Sequence, residues 1–404
     1  MKVLVFNCGS SSIKYKLYDM PDGTLVAAGL VQRIGEEASE AKQKAGAKEI
    51  RMQKKIGSHA EGMNIMSVML TDPENGAIRS MAEIGACGHR VVNGGEKITG
   101  SVKIDQELIQ IIEQYSELAP LHNPPNLVGI RESQKMFGDI PQVACFDTAF
   151  HTTMPETAYL YALPYSMYEK LRIRRYGFHG TSHRYIARRA AQLLQKEKYG
   201  VNLITCHLGN GCSMAAVQNG RSVDTTMGLT PLEGLVMGTR TGDIDPAIIF
   251  HLVRKGYKPE ELDSLLNKKS GLLGISEISN DVRNLEEKAA AGSKRALLAL
   301  SIFAYRIKKY IGAYLAVLNG CDGIIFAGGI GENGASMRAR ILEDMEFLGI
   351  KIDPEKNRNA LGKEAEIQTP DSKIRVMVIP TDEEIAIARD TFEIASGTAK
   401  QVLQ

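Results

Sequence analysis

The first twenty residues combine two hydrophobic patterns with a polar turn between them. A continuous apolar run at residues 3–6 predicts a buried strand, and the alternation of apolar and polar residues over 13–18 predicts a second one. The intervening segment contains Gly9, which tolerates a tight turn, and serines that can satisfy exposed backbone amides. Such a turn, with Lys14 beside it, is typical of a phosphate site, although a simple hairpin has the same pattern.

The same arrangement recurs about two hundred residues later in the chain. Residues 201–206 read as a buried strand, a glycine-bearing polar turn follows at 207–213, and 214–217 read as the returning strand. A further turn closes each unit, at residues 21–23 and at 218–220. Internal repeats indicate a duplicated architecture, and two halves of this kind could hold one nucleotide between them.

The remaining segments contain further predicted loops, strands and helices. Residues 35–60 are charged and can be placed only loosely, and residues 224–246 form a long loop rich in Gly and Thr, which favours a functional role. Prolines in residues 118–125 must end the helix that precedes them. The predicted strands are 27–33, 51–56 (an edge strand), 143–147 and 373–380. Residues 84–95 and 323–333 each read as a strand that runs into a glycine-rich loop or turn. The predicted helices are 59–71, 108–116, 185–198, 296–318, one starting near Ser336, and 385–394 capped by residues 381–384.

The predicted strands and helices describe an α/β protein, and length and composition favour two domains and a location in the cytoplasm. With 404 residues the chain exceeds one ordinary core, so we expect residues 1–149 plus 385–404 to form one domain and 150–384 the second. A net charge of +2 gives no case for nucleic acid or an anionic membrane as partner. Neither a signal peptide nor a membrane span is recognisable. Six cysteines without a CxxC pair indicate reduced thiols.

Three glycine-rich turns near residues 7, 207 and 328 each follow a predicted strand. None matches the Walker pattern, and the turn near 328 lacks the third glycine of the dinucleotide fingerprint, so an NAD-dependent oxidoreductase is disfavoured. Three phosphate-binding turns from separate parts of the chain favour ATP, held by backbone amides and Lys14.

Arginine and histidine residues in glycine-bearing loops suggest phosphoryl transfer. Arg90, Arg240, His179 and His207 lie in such loops, and together they suit a transferring phosphoryl group, whose charge is stabilised by positioned donors. Each taken alone is more ordinarily a structural histidine or a solvated arginine, and we interpret His89, His183 and His251 as structural.

Oxygen-bearing side chains at predicted strand ends could serve magnesium, which needs few protein ligands. The candidates are Asn7, Asp147 and Glu383, although the acids at 382–384 could equally be helix caps. No His/Cys cluster has zinc spacing, and no GxSxG motif marks a serine hydrolase.

Taken together, the motifs resemble those of the acetate kinase family along essentially the whole chain. The matching segments are residues 7–14, 88–95, 146–151, 175–183, 207–211, 234–240, 328–333 and 380–384. The resemblance implies the duplicated actin-like ATPase (ribonuclease H-like) fold shared with sugar kinases and heat-shock ATPases, with a nucleotide cleft between two domains, and a homodimer. It also implies reversible, Mg²⁺-dependent, in-line transfer from ATP to acetate, giving acetyl phosphate and ADP, with Mn²⁺ as an alternative ion.

The resemblance assigns roles to individual residues of this sequence. Magnesium would be held by Asn7 and Glu383, the acetate carboxylate by Arg90, and the transferring phosphoryl group by His179 and Arg240. The methyl pocket would comprise Val92, Leu121, Phe178 and Pro231. Phosphates would bind to Ser10, Ser12, Lys14, His207, Leu208, Gly209, Asn210 and Gly211. The adenosine would be surrounded by Asp281, Val282, Arg283, Gly329, Ile330, Gly331, Glu332 and Asn333.

Our expectations for Asp147 and Asn93 differ from the usual pattern of the family. Asp147 is usually given an acid/base role in this family, but acetate has no proton to lose near pH 7, so we expect Asp147 to orient Arg90 or a magnesium-bound water. Asn93 occupies a place where the family commonly has His, and we expect a tuned loop without loss of function.

Two rival functions are also compatible with parts of this sequence pattern. A propionate kinase shares most of the motifs, although Val92 favours the smaller acid because a smaller side chain there would admit another methylene. A nucleotide-driven chaperone or filament subunit on the same fold would not need paired arginines around a small apolar pocket.

Overall fold

The structure is a computed structural model that describes residues 1–120, 122–196 and 200–398. The chain divides into two compact units. The first unit contains Met1–Thr152 and the segment that begins at Asp382, and the second contains Thr153–Thr381. Each unit is built around its own β-sheet.

The first unit carries a mixed sheet with the strand order β5-β4-β3-β2-β1-β6-β8-β7. Its strands are β1 (Lys2–Gly9), β2 (Ser12–Asp19), β3 (Thr24–Gln32), β4 (Ser39–Ala45), β5 (Lys48–Lys54), β6 (Ile84–Val91), β7 (Val102–Lys103) and β8 (Gln142–Phe146). Its first helices are α1 (His59–Leu70), α2 (Gln106–Gln114) and α3 (Asn123–Phe137).

The second unit has the strand order β11-β10-β9-β12-β14-β13. Its first half contains the helices α4 (Glu156–Tyr159), α5 (Tyr165–Leu171) and α6 (Gly180–Leu193), then β9 (Leu203–Leu208), β10 (Cys212–Gln218) and β11 (Arg221–Thr225). Helices α7 (Ala247–Arg254), α8 (Pro259–Lys268), α9 (Gly271–Ser276), α10 (Val282–Ala290) and α11 (Lys294–Val317) follow. The remaining elements are β12 (Gly323–Ala327), α12 (Gly328–Asn333), α13 (Ala335–Leu342), α14 (Pro354–Asn359), β13 (Ala365–Glu366) and β14 (Arg375–Val378). Helix α15 (Glu383–Ala395) belongs to the first unit.

The two sheets repeat one topology. In each, three antiparallel strands (β1-β2-β3 and β9-β10-β11) are followed on the other side of the first strand by two parallel strands, β6 and β8 or β12 and β14. A short antiparallel strand then ends each sheet, β7 in one and β13 in the other. The internal repeat predicted from the two hairpins is therefore confirmed, as is the α/β class.

Helix α15 lies close against the centre of the first sheet because β6 contains Gly88. A Cβ atom at Gly88 would lie 2.4 Å from Thr391 Oγ1 and 2.7 Å from Ile387 Cγ2. The helix begins after Asp382, whose side chain accepts the backbone N–H of Ile385. This packing places Glu383, in the first turn of α15, near the ends of β6 and β8.

Most predicted elements are confirmed. Helices α3, α4, α5, α7, α8, α9, α10 and α14 and strands β4, β7, β11 and β13 were not predicted, and two predictions differ clearly from the structure. Strand β4 was missed because its inward positions are Ser39, Ala41 and Gln43, which are buried but show no hydrophobic alternation. Helix α6 begins at Gly180, five residues before the predicted start at Tyr185, and the predicted end at Lys198 lies outside the described residues. Residues 328–333, expected as a turn, form the short helix α12.

Prolines 124 and 125 lie in the first turn of α3. Proline is tolerated there because the first backbone N–H groups of a helix have no partner within it. None of the helices within the described ranges is both long enough and apolar enough to cross a membrane.

Candidate active site

The phosphate turn of the first unit (residues 7–12) closes the β1–β2 hairpin. Gly9 pairs with Ser12, and Asn7 pairs with Lys14 across the two strands. Ser10 and Lys14 are exposed, while Ser12 is partly buried. The residues predicted to bind phosphate, Ser10, Ser12 and Lys14, therefore lie together at one end of the sheet. They are next to Asn7, which is predicted to bind the metal.

Arg90, Asp147 and Glu383 form a partly buried charged cluster in the same unit. Arg90 donates from Nε to Asp147 Oδ1 at 3.0 Å and from Nη2 to Asp147 Oδ2 at 2.6 Å. Its Nε lies 3.7 Å from Glu383 Oε2. Burial opposes the charge on Arg90, but the carboxylates of Asp147 and Glu383 outweigh it and raise the pKa of the guanidinium.

Glu383 is surrounded by charges of both signs. Its pKa is raised to about 7, mainly by burial; Asp147 and Glu384 also raise this pKa, whereas Arg90 and Lys14 lower it. A divalent cation would favour the charged form of Glu383, and carboxylate and amide oxygens suit Mg²⁺. Within the described ranges no three His, Cys, Asp or Glu side chains cluster as a metal site, so a magnesium ion here would also need phosphate or water oxygens.

The acyl loop (residues 90–95), named for the role that the resemblance implies, starts with the last two residues of β6 and continues beyond the strand. Val92 is buried, with 6% of its surface exposed, and Leu121 lies outside the described residues. Asn93 is fully buried, and its Oδ1 accepts the backbone N–H of Gly95 at 2.8 Å. Among the described residues Asn93 Nδ2 has no hydrogen-bond partner, so the departure from the commoner His leaves one buried donor unpaired.

In the second unit the corresponding turn joins β9 to β10. Gly209 N donates to Gly211 O at 3.1 Å, which closes the turn. Asn210 is held from two sides: its carbonyl oxygen accepts Gly238 N at 3.0 Å and its Oδ1 accepts Asn280 Nδ2 at 2.9 Å. The turn therefore has a fixed shape, with Gly209 and Asn210 facing the cavity described below.

His179 and His207 lie face to face beside this turn. Their ring centroids are 4.3 Å apart with an interplanar angle of 29°. His179 Nδ1 lies 2.9 Å from Ser213 Oγ, and His207 Nδ1 lies 2.8 Å from Ser182 Oγ. The hydroxyl groups orient the two rings, as expected for histidines that act at a fixed place.

The backbone at His179 is left-handed, with φ of 56°. A non-glycine residue in this region carries a cost of about 1–2 kcal/mol and is common at functional positions. His183, one turn later in α6, is fully buried between Thr205 Oγ1 and Ser213 Oγ, at 2.8 Å from each. It therefore supports Ser213, in agreement with the structural role predicted for His183.

Arg240 reaches the same place from the long loop at residues 226–246. Its Nη1 donates to Pro231 O at 3.2 Å, and burial lowers its pKa. No Asp or Glu among the described residues lies within 4 Å of its guanidinium. A Cβ atom at Gly211 would lie 3.4 Å from His179 Cε1 and 3.6 Å from Arg240 Nη1, so both side chains flank Gly211.

Two polar groups that sequence reasoning missed hold this loop. Arg175 donates to Glu233 Oε1 at 2.6 Å and to the carbonyl oxygen of Thr225 at 2.8 Å. Further along, Asp243 accepts Gly234 N at 2.8 Å and Tyr310 OH at 2.7 Å. The available signal was Arg175 itself, since it begins one of the matching motifs.

A cavity of about 480 Å³ lies next to the Gly209–Gly211 turn. Six of the eight residues predicted to surround adenosine line it, namely Asp281, Val282, Arg283, Gly329, Ile330 and Asn333. The lining also includes Gly209, Asn210, Asn280, Glu286 and Gly334. Phe178 is buried and Pro231 partly buried, both in the same unit as the cavity.

Glu332 is a support for the cavity wall. Its Oε1 accepts Gly328 N at 2.8 Å and Thr381 N at 3.0 Å. Arg338, which is fully buried, donates to Gly331 O at 2.7 Å and to Glu332 O at 3.1 Å. Gly331 and Glu332 thus shape the turn that bears Gly329, Ile330 and Asn333.

The fold and these groups define a class: a duplicated α/β fold with glycine turns and partly buried arginines. The family model of the acetokinase family matches residues 2–389. The acetate kinase of Methanosarcina acetivorans is 56% identical over 402 residues, which cover 99% of this chain and 98% of that protein. The chain belongs to the acetokinase family, and it is a kinase.

Solved structures agree with this assignment. The acetate kinase of Porphyromonas gingivalis matches with a TM-score of 0.93 and 47% identity, covering 97% of this chain and 99% of that one. The propionate kinase of Francisella tularensis matches with a TM-score of 0.91 and 42% identity over the same shares of the two chains. The first similarity supports the duplicated actin-like ATPase fold, and the family disfavours a chaperone or filament subunit.

Proposed function

We propose that this kinase transfers the γ-phosphoryl group of ATP to acetate, giving acetyl phosphate and ADP, and that it catalyses the reverse reaction. The observation that carries the proposal is the convergence of His179 and Arg240 on Gly211, beside the cavity lined by predicted adenosine residues. A partly buried arginine without a carboxylate partner among the described residues favours an anionic ligand. Donors placed around a developing charge stabilise the transition state of phosphoryl transfer.

The transfer is a direct in-line displacement. A carboxylate oxygen of acetate attacks the γ-phosphorus, the bond from this phosphorus to the bridging oxygen breaks, and that oxygen leaves with ADP. Acetate carries no proton near pH 7, so no base is needed. Asp147 holds two N–H groups of Arg90, and the remaining donors of the guanidinium bind the acetate carboxylate.

Asn7 and Glu383 would hold Mg²⁺, with Mn²⁺ as an alternative. The carboxylate of Glu383, which lies close to the carboxylates of Asp147 and Glu384, supports a cation there. When bound, such an ion neutralises charge on the β- and γ-phosphates. The glycine turns and the side chains of Ser10, Ser12 and Lys14 supply the remaining phosphate contacts.

The choice between acetate and propionate depends on small differences in pocket volume. The solved neighbour from Francisella tularensis is described as a propionate kinase, which keeps propionate as the second candidate. Val92 favours acetate because its buried side chain occupies space that an extra methylene would need. One methylene is worth about 1–3 kcal/mol, so propionate should react more slowly without being rejected.

We also propose a homodimer in the cytoplasm. Large apolar side chains of α7 are exposed, namely Ile248 (43%), Phe250 (63%) and Val253 (48%), and a second copy of the chain would cover them. All six cysteines, which lie at described positions, are free thiols, as expected in a reducing compartment. Light scattering tests the dimer: a mass of one chain would contradict it.

Trapping acyl phosphate with hydroxylamine tests the proposed reaction. Acetate, propionate and butyrate are each incubated with the enzyme and MgATP, and the hydroxamate is measured. We expect acetate to exceed propionate in kcat/KM by about tenfold. Comparable use of propionate would contradict the acetate preference, and hydrolysis of ATP without any hydroxamate would contradict the transfer itself.

A further inference from the structure

Strands β1 and β6 separate before the phosphate turn and the acyl loop begin. They pair in parallel from Lys2 opposite Ile84 to Phe6 opposite His89, and the pairing ends there. Beyond this point Cys8 remains paired with Ile13 of β2 on its other side. The ends of neighbouring parallel strands are where ligands bind in α/β sheets, so the width of this gap matters for the reaction.

The carboxamide of Asn126 bridges the gap. Val92 N donates to Asn126 Oδ1 at 3.1 Å, and Asn126 Nδ2 donates to Cys8 O at 2.8 Å. The amide orientation follows from the chemistry, because the backbone N–H needs an acceptor and the carbonyl needs a donor. Asn126 is 5% exposed, so both bonds are shielded from water. Where the backbones of β1 and β6 diverge, the Asn126 side chain hydrogen-bonds to both chain segments. These bonds take the place of the backbone hydrogen bonds that would otherwise continue the pairing of the two strands.

Helix α3 approaches β1 closely enough for this contact because residue 129 is glycine. Gly129 lies three residues after Asn126, on the same face of the helix. A Cβ atom at Gly129 would lie 2.5 Å from Cys8 Sγ and 2.8 Å from Cys8 Cβ. Substitution there would push α3 away from β1 and lengthen the bond from Asn126 to Cys8.

The rest of the acyl loop is also held by side chains. Asn123 makes a two-point contact with Asn93: its Oδ1 accepts the N–H at 3.0 Å and its Nδ2 donates to the carbonyl oxygen at 2.9 Å. Gly94 N donates to Thr148 Oγ1 at 3.1 Å. Among these described side chains Asn126 is distinctive, because it also hydrogen-bonds the strand that carries the phosphate turn.

We infer that Asn126 is a positioning residue that fixes the spacing between the phosphate turn and the acyl loop. The inference rests on the proposed function, in which Ser10, Ser12 and Lys14 contact phosphates while Arg90 and Val92 contact the acyl group. In-line transfer requires the reacting atoms to be aligned, and a displacement of about 1 Å can cost about 100-fold in rate. Loss of the bridge should therefore act on kcat with both substrates saturating, beyond any effect on binding.

The matched pair Asn126→Ala and Asn123→Ala tests this inference. Both remove a buried carboxamide of α3 that holds the acyl loop, but only the first touches Cys8. We expect Asn126→Ala to lower kcat by at least about tenfold in fully folded protein. Asn123→Ala should mainly raise the KM for acetate and leave the KM for ATP near that of the wild type. Gly129→Ala should reproduce the loss of kcat seen with Asn126→Ala.

Hydrogen–deuterium exchange gives a second measurement that does not depend on activity. Asn126→Ala should raise the exchange rate of the Val92 amide and of amides in the phosphate turn, whereas Asn123→Ala should raise exchange in the acyl loop alone. Circular dichroism supplies the folded fraction for each variant.

Three results would overturn the inference. They are an unchanged kcat in folded Asn126→Ala protein, a kcat loss that only follows the unfolded fraction, and identical exchange patterns in the two variants. Failure of the proposed function is recognised separately, since wild-type enzyme would then form no acetyl phosphate while the exchange patterns still decide the role of Asn126.

Discussion

Arg90 donates two hydrogen bonds to Asp147, at 3.0 Å and 2.6 Å, and Asp147 is only 1% exposed. A guanidinium held at two points has a fixed plane, so its remaining donors point in a defined direction. This geometry supports a role for Asp147 in orienting Arg90, the arginine that we propose binds acetate. Such a role explains why a carboxylate is needed in a reaction that requires no base.

The variant Asp147→Asn tests that role. It keeps the shape of the side chain but removes the charge that fixes Arg90, so we expect kcat/KM for acetate to fall about 100-fold. Because no proton transfer by Asp147 is involved, the pH profile of the residual activity should keep both of its limbs. A pH limb that disappears in the variant would show that Asp147 acts as a base.

Arg240 is expected to be the most sensitive of the arginines. Arg240→Ala removes a partly buried donor that we propose contacts the transferring phosphoryl group. We expect kcat to fall about 100- to 1,000-fold, as for the loss of one donor in an oxyanion site. Added guanidinium should restore part of the activity. Arg51→Ala, at a side chain 76% exposed, is the matched control, and equal losses in the two variants would exclude a specific role for Arg240.

Val92 should control the choice of acyl group. Val92→Ala removes two methyl groups from a buried side chain, which makes room for one methylene of propionate. We expect the ratio of kcat/KM for propionate to that for acetate to rise about 10- to 100-fold. The ratio is measured in competition under saturating MgATP, and an unchanged ratio would place the selective contact elsewhere in the pocket.

Variants of Glu332 test whether its hydrogen bonds to the backbone stabilise the wall of the cavity that we propose holds adenosine. Glu332→Gln keeps the oxygen that accepts Gly328 N and Thr381 N, whereas Glu332→Ala removes it. The KM for ATP should therefore rise clearly in the Ala variant and little in the Gln variant, with the KM for acetate nearly unchanged in both. If both variants lose ATP affinity equally, the negative charge of Glu332 contacts the nucleotide itself.

His89 should make stability depend on pH. Burial lowers the pKa of His89 from 6.5 to about 4, and its hydrogen bond with Gln142 only partly opposes this. The unfolded chain therefore binds the proton more readily between pH 6.5 and about 4. This contribution to the free energy of unfolding, about 3 kcal/mol, is complete above pH 6.5 and is lost as the pH falls through this range.

Urea unfolding of wild type and His89→Gln at several pH values measures this contribution. The stability difference between the two proteins should shrink as the pH falls from 6.5 toward 4. A difference that stays constant with pH would mean that His89 is not kept neutral by the fold.

Much of the architecture could be predicted from the sequence because the signals were local. The hairpin at residues 1–19 and its repeat at 203–218 each show strand patterns separated by a glycine turn. The strand before Asp147 and the helix after Asp382 also have clear local patterns and caps. The roles given to Arg90, Arg240 and the adenosine residues came from the family resemblance and stay predictions.

The parts that escaped prediction depend on contacts between distant segments. Strand β4 buries Gln43 because Tyr15 OH and Met69 O satisfy its amide, which no local pattern reveals. Asn126 contacts Cys8 across 118 positions of sequence, and Arg175 meets Glu233 across 58. Buried polar side chains of this kind become recognisable only when the fold brings their partners together.

The stereochemical course at phosphorus tests the central claim most directly. The enzyme is given acetate and ATP whose γ-phosphoryl group is made chiral with oxygen isotopes, and the configuration of the acetyl phosphate is determined. Direct in-line transfer between the two substrates predicts inversion at phosphorus. Retention would mean two successive displacements through a phosphorylated enzyme group, and it would contradict the account given for Arg90, His179 and Arg240.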